Sequence, residues 1–434
     1  MIQGRCRLWN LTLCALAFLF IYNLILTMKL VYSPECHKHQ TPVVKPVKPA
    51  RQKCEPIGTN QNTRTFNLDL TLGRWDNAQR YKLFDNILVG DRFAPLNDLY
   101  KTCLATQSSL DKLPSLAEVA SHWSGPISLA LFAASGPELD ALLSYVAYLR
   151  KCDQGIRDRV SFHLGMARER LPRTFDLDED KLEEMDCRKP LEVLRNLYEA
   201  STMTASRWRT KLAYPQNHLR NLARKNCQSK HVFLTDVDIV PSRGAAEGLD
   251  VFLEQAKCPG DGKCAYVVPT YEIDERVRFP RNKSELVRLA EKGLARPFHH
   301  KVFIYNQYAT NFTRWQAHSN DGPNIHISHP VTNFEFLYEP FYIAPDTVPP
   351  HDERFVGYGY TRNSQVYEMF VAGYEFLVLS PIFTCHWGLQ VKRSRPPWRE
   401  HQNNLNRKQF DAFKREIFAK YNKDPLNMMA NHKT

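Results

Sequence analysis

Residues 231–242, HVFLTDVDIVPS, contain the pattern that decides the predicted fold. The apolar, β-branched run at 232–234 predicts a buried strand, and two carboxylates, Asp236 and Asp238, follow it. Because alternate side chains of an extended chain share a face, both carboxylates are expected to point the same way at the carboxyl end of a strand, where open α/β sheets bind ligands. Like charges this close call for a cation between them. Oxygen ligands suit Mn²⁺ or Mg²⁺, whose open positions would hold nucleotide phosphates.

The motif has several interpretations. One is the Asp-x-Asp metal site of a nucleotide-sugar glycosyltransferase. A second is a solvated turn, since the motif also occurs by chance, although the apolar strand ahead of it disfavours this. A third is a phosphatase of the haloacid dehalogenase type, with Asp236 as the nucleophile of an Asp-x-Asp-x-Val pattern that ends at Val240. A catalytically inactive lumenal binding subunit is a further alternative.

The amino-terminal part predicts a membrane anchor. Residues 8–28 carry no charged side chain, and this length suffices to cross a bilayer as a helix. No small-x-small cleavage site follows, so we expect an uncleaved signal anchor. Arg5 and Arg7 precede it, which favours a single-pass type II topology with a cytoplasmic tail at residues 1–7.

The remaining chain is expected to lie in a lumenal compartment. Residues 29–65 are rich in proline and poor in large apolar side chains, which predicts an extended stem. Residues 66–425 are predicted to form one large α/β catalytic domain or two smaller ones, and residues 426–434 a carboxyl-terminal tail.

Cysteine usage agrees with such a compartment. Nine of the eleven cysteines lie beyond the anchor, and none forms a Cys-x-x-Cys pair. Cys258 and Cys264 flank a short Pro-Gly-Asp-Gly-Lys loop that a disulfide could close. An odd number leaves one cysteine over, either a free buried thiol or a bridge between two chains through Cys36 or Cys54. Asn282 and Asn311 begin glycosylation sequons.

The net charge of +12 does not indicate nucleic-acid binding. The basic residues are dispersed, without the aromatic-interleaved stripe typical of nucleic-acid proteins. An anionic nucleotide, an anionic sugar or the membrane surface is the expected partner.

Other segments supply residues that could complete a site. Residues 128–134 are predicted as the first core strand and residues 137–149 as the helix after it, the start of a doubly wound α/β pattern. Residues 214–224 predict a helix with one polar face, which either contacts a nucleotide or is simply solvated. That face carries Asn217, Arg220, Asn221 and Arg224.

The carboxyl-terminal third contains further candidates. His386 follows a strand-like run and is expected to be the third metal ligand unless it is an ordinary structural histidine, and Lys392 is expected to neutralise a diphosphate. Residues 351–373 combine aromatic, glycine and acidic residues. Binding of a sugar acceptor requires an aromatic face on which the sugar ring stacks, and its reaction requires a carboxylate as general base for the hydroxyl. Asp352 is the first choice for this base, and Glu353 and Glu368 are the alternates. Asp352 could instead cap a helix or pair with Arg354, and Glu368, in a helical run, could serve in packing or a salt bridge.

Many ordered motifs together resemble glycosyltransferase family 49. They are YPQNHLRNLAR (214–224), DVDIVPS (236–242), RPF (296–298), TRW (313–315), EPFY (339–342), DERF (352–355), Arg362-x-x-Gln365-x-x-Glu368, AG (372–373) and Phe383-x-x-His386-x-Gly388. The resemblance covers roughly residues 66–425 and implies a GT-A fold. It carries Asp236 and Asp238 over as metal ligands directly and His386 by position.

The resemblance also implies an activity. The expected enzyme is an inverting, Mn²⁺-dependent Golgi transferase that moves glucuronic acid from UDP-glucuronate in β-1,4 linkage to a xylose-terminated glycan on a glycoprotein, of the dystroglycan O-mannosyl type. Another UDP-sugar, such as UDP-N-acetylglucosamine, is the alternative donor. A homodimer or a complex with a second glycosyltransferase is a further expectation. The segment HHKVFIYNQYAT (299–310) departs from the family pattern.

A glucuronyl donor carries an extra carboxylate. A basic stretch, Arg276, Arg278, Arg281 and Lys283, is the predicted partner of this carboxylate, unless it is an ordinary solvated loop.

Overall fold

The computed structural model describes residues 66–175, 179–209, 212–259, 262–317, 322, 324–392 and 396–429, together with residue 17 and residues 19–25. The chain divides into two units, Met1–Asn62 and Thr63–Thr434. Of the predicted anchor 8–28, residues 17 and 19–25 are described, and they are helical and exposed. No described helix is both long and apolar enough to span a membrane. The predicted tail 1–7, the predicted stem 29–65 and residues 430–434 lie outside the described residues.

The described strands of the second unit form two sheets. In chain order they are β1 Arg74–Trp75, β2 Tyr81–Leu88, β3 Thr102–Ser109, β4 Ile127–Ala133, β5 Val160–Ala167, β6 His231–Leu234, β7 Val240–Pro241, β8 Cys264–Val268, β9 Thr270–Ile273, β10 Ala295–Pro297, β11 His326–Pro330, β12 Phe341–Pro345, β13 Glu375–Ser380 and β14 Thr384–Trp387. The large sheet has the order β1-β2-β5-β4-β3-β6-β12-β8-β13-β11, and the small sheet has the order β10-β9-β14-β7.

Helices alternate with the strands. They are α1 Phe93–Leu99, α2 Ser115–His122, α3 Gly136–Cys152, α4 Gln154–Arg159, α5 Glu179–Glu184, α6 Pro190–Arg209, α7 Gln216–Lys225, α8 Ala245–Gln255, α9 Lys283–Glu291, α10 Phe312–Ala317, α11 Arg362–Val371 and α12 Pro397–Tyr421. This confirms the predicted mixed α/β class.

The strand order creates a place for a ligand. Strands β5, β4, β3 and β6 are mutually parallel neighbours. The chain proceeds from β3 to β4 and β5 on one side, whereas β6 adds to the other side of β3. Such a reversal of strand order leaves a crevice at the carboxyl ends of the two central strands. Here these strands are β3 and β6, and β6 is the strand that precedes the two aspartates.

Local patterns predicted the first βα unit well, although not its rank. The predicted strand 128–134 is β4, and the predicted helix 137–149 is α3, whose apolar face is buried. The prediction that β4 is the first core strand is wrong, because β2 and β3 precede it in the same sheet. Strand β3, TCLATQSS, has too many polar residues to show an apolar run, yet Thr106 and Ser108 are buried within it.

Three disulfides are present within the described residues. Cys258–Cys264 closes the short loop, as predicted, while Cys103–Cys227 and Cys152–Cys187 join segments far apart in the chain. Cys385 is buried and unpaired, as one of the two alternatives for a leftover cysteine requires. Cys36 and Cys54 lie outside the described residues.

Candidate functional site

A cleft of about 510 Å³ opens where the carboxyl ends of β3 and β6 meet. Its size is within the range of small-molecule sites, roughly 300–1,000 Å³. The end of β3 and the following turn contribute Gln107 and Lys112, the segment after β6 contributes Asp236 and Asp238, and Trp398 at the start of α12 closes one side. The cleft therefore combines carboxylates, a cation and an aromatic ring in one concave surface.

A turn, not an extended strand, presents the two aspartates. Strand β6 ends at Leu234, and the amide of Ile239 donates to the carbonyl of Asp236 at 3.0 Å. The intervening Val237 is buried, so the turn is anchored in the core. Both carboxylates nevertheless line the same cleft.

Asp236 is held by two arginines from separate helices. Arg362 Nη2, from α11, lies 2.8 Å from Asp236 Oδ2, and Arg220 Nη2, from α7, lies 3.4 Å from Oδ1. Gln107 Nε2 also donates to Oδ1, at 3.2 Å. Burial alone would raise the pKa of Asp236, but the positive charges of Arg362 and Arg220 outweigh it and lower the pKa. Asp236 is therefore a permanent anion that fixes two cations at the edge of the cleft.

Asp238 has different partners, a lysine and a histidine. Lys112 Nζ lies 3.2 Å from its Oδ2, and His386 Nε2 lies 3.6 Å from the same oxygen. Burial would raise the pKa of Asp238, but His386 and Lys112 more than offset it and the pKa lies at about 2. Asp238 is an anion at physiological pH, with an imidazole nitrogen facing it.

The Asp238–His386 pair fits one part of the predicted metal site. A carboxylate oxygen and an imidazole nitrogen facing each other form a donor set that suits Mn²⁺. Asp238 lines the cleft, and the His386 side chain behind it is 15% exposed. Asp236, by contrast, directs its oxygens at arginines. Within the described residues, no group of three or more His, Cys, Asp and Glu side chains is arranged to hold a metal ion.

The polar face of α7 is buried and ties the site to the loop before α11. Asn217 Nδ2 donates to the carbonyl of Asp352 at 2.8 Å, and Asn221 Nδ2 donates to the carbonyl of His351 at 2.8 Å. Arg224 pairs with Asp346 at 2.8 Å. The solvated alternative is therefore wrong for this face. Of the four polar residues predicted on this face, Arg220 is the one that the structure describes as forming a salt bridge with Asp236.

The predicted base candidates lie outside the cleft lining and have polar partners. Asp352 Oδ2 forms a salt bridge with Arg354 Nη2 at 2.6 Å, and Glu368 Oε1 forms one with Lys420 Nζ at 2.8 Å. These two carboxylates line a separate cavity of about 260 Å³. Glu353 accepts from the Asn221 side chain at 3.0 Å.

The basic residues that were predicted to contact the donor also lie away from the cleft. Arg276 pairs with Asp274 at 2.8 Å and Arg281 with Glu285 at 3.2 Å, each arginine being more than four-fifths exposed. Lys283 is buried, with its ammonium over the Trp315 ring. Arg278 and Lys392 are exposed. None of these residues lines the cleft that contains Asp236 and Asp238.

Comparison with known proteins agrees with the resemblance seen in the sequence. The model of the family described as "Glycosyl-transferase for dystroglycan" matches residues 101–422. The chain belongs to this family. It is a glycosyltransferase, and the phosphatase alternative is therefore set aside.

Individual relatives of this glycosyltransferase extend over most of its length. Beta-1,4-glucuronyltransferase 1 of Homo sapiens is 35% identical over 334 residues, which are 74% of this chain and 76% of the relative. The Danio rerio protein of the same name is 30% identical over 381 residues, 84% of this chain and 86% of the relative. Xylosyl- and glucuronyltransferase LARGE2s of Danio rerio is 25% identical over 346 residues, 78% of this chain and 38% of that protein.

Sequence reasoning on the glycosyltransferase missed several residues of the site. Gln107 and Lys112 follow a strand without an apolar signature, and Arg362 was noted as part of a family motif without a role. Glu339, just ahead of β12, was missed in the same way. Burial raises the pKa of Glu339. The positive charges of Arg362 and Arg220 offset part of that rise, so both arginines interact electrostatically with the Glu339 carboxyl group.

Proposed function

We propose that this glycosyltransferase has a GT-A fold and transfers glucuronic acid, with inversion, from UDP-glucuronate to a xylose-terminated glycan in β-1,4 linkage. The observation that carries the proposal is the aspartate pair in the cleft between β3 and β6, surrounded by cationic side chains. The names of the relatives support the donor, since several are beta-1,4-glucuronyltransferases at 30–35% identity.

The cleft provides cations for a nucleotide diphosphate. Lys112 lines it, and Arg220 and Arg362 are fixed at its edge by Asp236. Charge-assisted hydrogen bonds from such groups are about twice as strong as those between neutral groups. Positive groups at this place stabilise the charge that develops on the leaving UDP, which is the usual largest contribution to catalysis.

The proposed cofactor is Mn²⁺, with Mg²⁺ as the alternative. Asp238 and His386 would hold it, whereas the oxygens of Asp236 face Arg220 and Arg362. A divalent ion at this position supplies Lewis-acid stabilisation of the diphosphate. The protein's own part is to hold the Asp238 carboxylate ionised and to keep His386 facing it.

The donor experiment measures UDP release from a panel of UDP-sugars with Mn²⁺ and a xylose-terminated acceptor. UDP-glucuronate is expected to be preferred. Asp238→Asn is expected to lower turnover by a factor of about 10² or more. The matched control, Asp274→Asn, alters a loop aspartate that pairs with an exposed arginine and leaves turnover unchanged. Preference for UDP-N-acetylglucosamine or UDP-galactose would refute the donor, and full activity of Asp238→Asn would refute the role of the aspartate pair.

The proposed location is the Golgi membrane, with residues 8–28 as a type II anchor and the catalytic unit in the lumen. Three disulfides support this because such bonds persist in oxidising compartments. In the lumen, the exposed sequon residues Asn282 and Asn311 should receive glycans. Glycosidase treatment of the full chain from animal cells is expected to increase its mobility on a gel. If the untreated wild type and the untreated Asn282→Gln/Asn311→Gln variant have the same mobility, modification of these sites is contradicted.

A further inference from the structure

The neighbourhood of Asp236 contains a third carboxylate. Glu339 lies two positions before the first residue of β12, which runs antiparallel to β6 with Tyr342 opposite Leu234. Residues that precede β12 therefore lie beside residues that follow β6. In agreement with this, Glu339 interacts electrostatically with Asp236, Arg220 and Arg362. The fold thus places Glu339 beside the turn that carries Asp236 and Asp238, although Glu339 is not among the residues that line the cleft.

Hydrogen bonds position Glu339, and no salt bridge within the described residues pairs its carboxylate with a cation. Its amide donates to the carbonyl of Asn306 at 2.8 Å, and Gln307 Nε2 donates to its carbonyl at 2.9 Å. The Asn306 side-chain amide lies 2.8 Å from His299 Nδ1 and approaches Glu339 Oε2 at 3.4 Å. Among the described residues, no lysine or arginine forms a salt bridge with Glu339, whereas Asp352 and Glu368 each have one.

The segment that positions Glu339 also presents a surface suited to a sugar. Tyr305 and Tyr308 flank Asn306 and Gln307, and their side chains are 58% and 60% exposed. Aromatic rings provide apolar faces for sugar rings, and nearby polar groups set the orientation. Asn306 and Gln307, which contact Glu339, lie in the same segment as these rings, and this segment is the proposed acceptor surface.

We propose that Glu339 is the catalytic base that accepts the proton of the acceptor hydroxyl, an inference that rests on the proposed inverting transfer. In this step the hydroxyl O–H bond breaks and its proton passes to a Glu339 carboxylate oxygen. The hydroxyl oxygen forms the new bond to the anomeric carbon. The bond from that carbon to the UDP oxygen breaks, and its electron pair leaves with UDP. Glu339 then returns the proton to water.

The test compares Glu339→Gln and Glu339→Asp with the wild-type full chain. Glu339→Gln keeps the shape of the side chain but cannot accept the proton. We expect its kcat to fall by a factor of about 10² or more, while the KM for the donor, UDP binding and the melting temperature stay close to wild type. Glu339→Asp retains the charge but retracts it by one methylene, and we expect an intermediate loss of kcat with the same unchanged binding.

Two control variants separate this role from others. Glu335→Gln changes an exposed acid in the same loop and should keep full activity. Asp111→Asn tests a carboxylate that lines the cleft together with Asp236 and Asp238, and a loss of kcat there as large as that expected for Glu339→Gln would overturn the proposal. Near-normal transfer by Glu339→Gln would overturn the proposal, as would a loss confined to UDP binding. If Glu339→Gln does not fold, near-normal kcat in Glu339→Asp would overturn it. A wrong donor would already be seen in the wild-type enzyme, and the same variants would then be tested with the donor it does use.

Discussion

His163, buried within the large sheet, should make the stability of the protein depend on pH. The side chain is fully buried on β5. The amide of Asn86 donates to Nδ1 at 2.8 Å, and Nε2 lies 2.9 Å from Ser128 Oγ. The Ser128 hydroxyl has one proton and donates it to the carbonyl of Ala223 at 2.7 Å, so it must accept from Nε2. The imidazole is therefore held in the neutral form.

The size of the effect follows from the difference between the folded and unfolded states. Burial lowers the pKa of His163 from 6.5 to about 3. Between these values the unfolded chain binds a proton that the folded chain does not. The free energy of unfolding therefore decreases as the pH falls through this window, by about 1.4 kcal/mol per pH unit. At about pH 5 the loss attributable to this one residue is roughly 2 kcal/mol.

Urea unfolding of the wild type and His163→Gln at about pH 7.5 and about pH 5 measures this quantity. Glutamine offers a donor and an acceptor but does not take up a proton in this range. The stability advantage of the wild type over the variant should shrink by about 2 kcal/mol between the two pH values. His401→Gln, an exposed site on α12, should give the same pH dependence as the wild type. An advantage that stays constant within about 0.5 kcal/mol would refute the reasoning.

Two further predictions concern interactions that sequence alone does not show. Arg296→Met should destabilise the protein by about 3–5 kcal/mol in urea unfolding, because it leaves the fully buried Glu272 carboxylate without the arginine that lies 2.8 Å away; equal stability would contradict this. Cys103→Ala/Cys227→Ala opens a loop with a sequence separation of 124 residues, and the loop-entropy relation predicts a loss of about 5 kcal/mol. Non-reducing urea unfolding measures it, and a loss below about 1 kcal/mol would contradict the relation.

The predictions that the structure confirmed depend on local information. The apolar run ahead of Asp236 predicted β6, and the apolar spacing of 137–149 predicted α3, because one buried face leaves a periodic trace in the sequence. The disulfide between Cys258 and Cys264 was also predictable from local sequence, because the two cysteines are only six positions apart. Each feature is determined within a short stretch of chain.

The features that sequence reasoning missed depend on distant partners. Strand β3 is buried although five of its eight residues are polar, because it lies between β4 and β6 in the centre of the sheet. Glu368 looked available as a base until α12 brought Lys420 to it, 52 positions further along the chain. Arg362 reaches Asp236 across 126 positions, and no periodicity records such a pairing. Charge pairing between remote elements is therefore where sequence reasoning on the site failed.

The two aspartates of one motif have different electrostatic tasks. Asp236 is paired with Arg220 and Arg362, which are almost fully buried and permanently charged, so its carboxylate mainly keeps two cations in place. Asp238 lines the cleft and faces Lys112, which is 56% exposed, and His386, which is 15% exposed. A diphosphate needs positive charge around it, and a divalent cation needs an available anion. In the proposed function, Asp236 serves the first need and Asp238 the second, because the two carboxylates, although two residues apart, have partners from different elements.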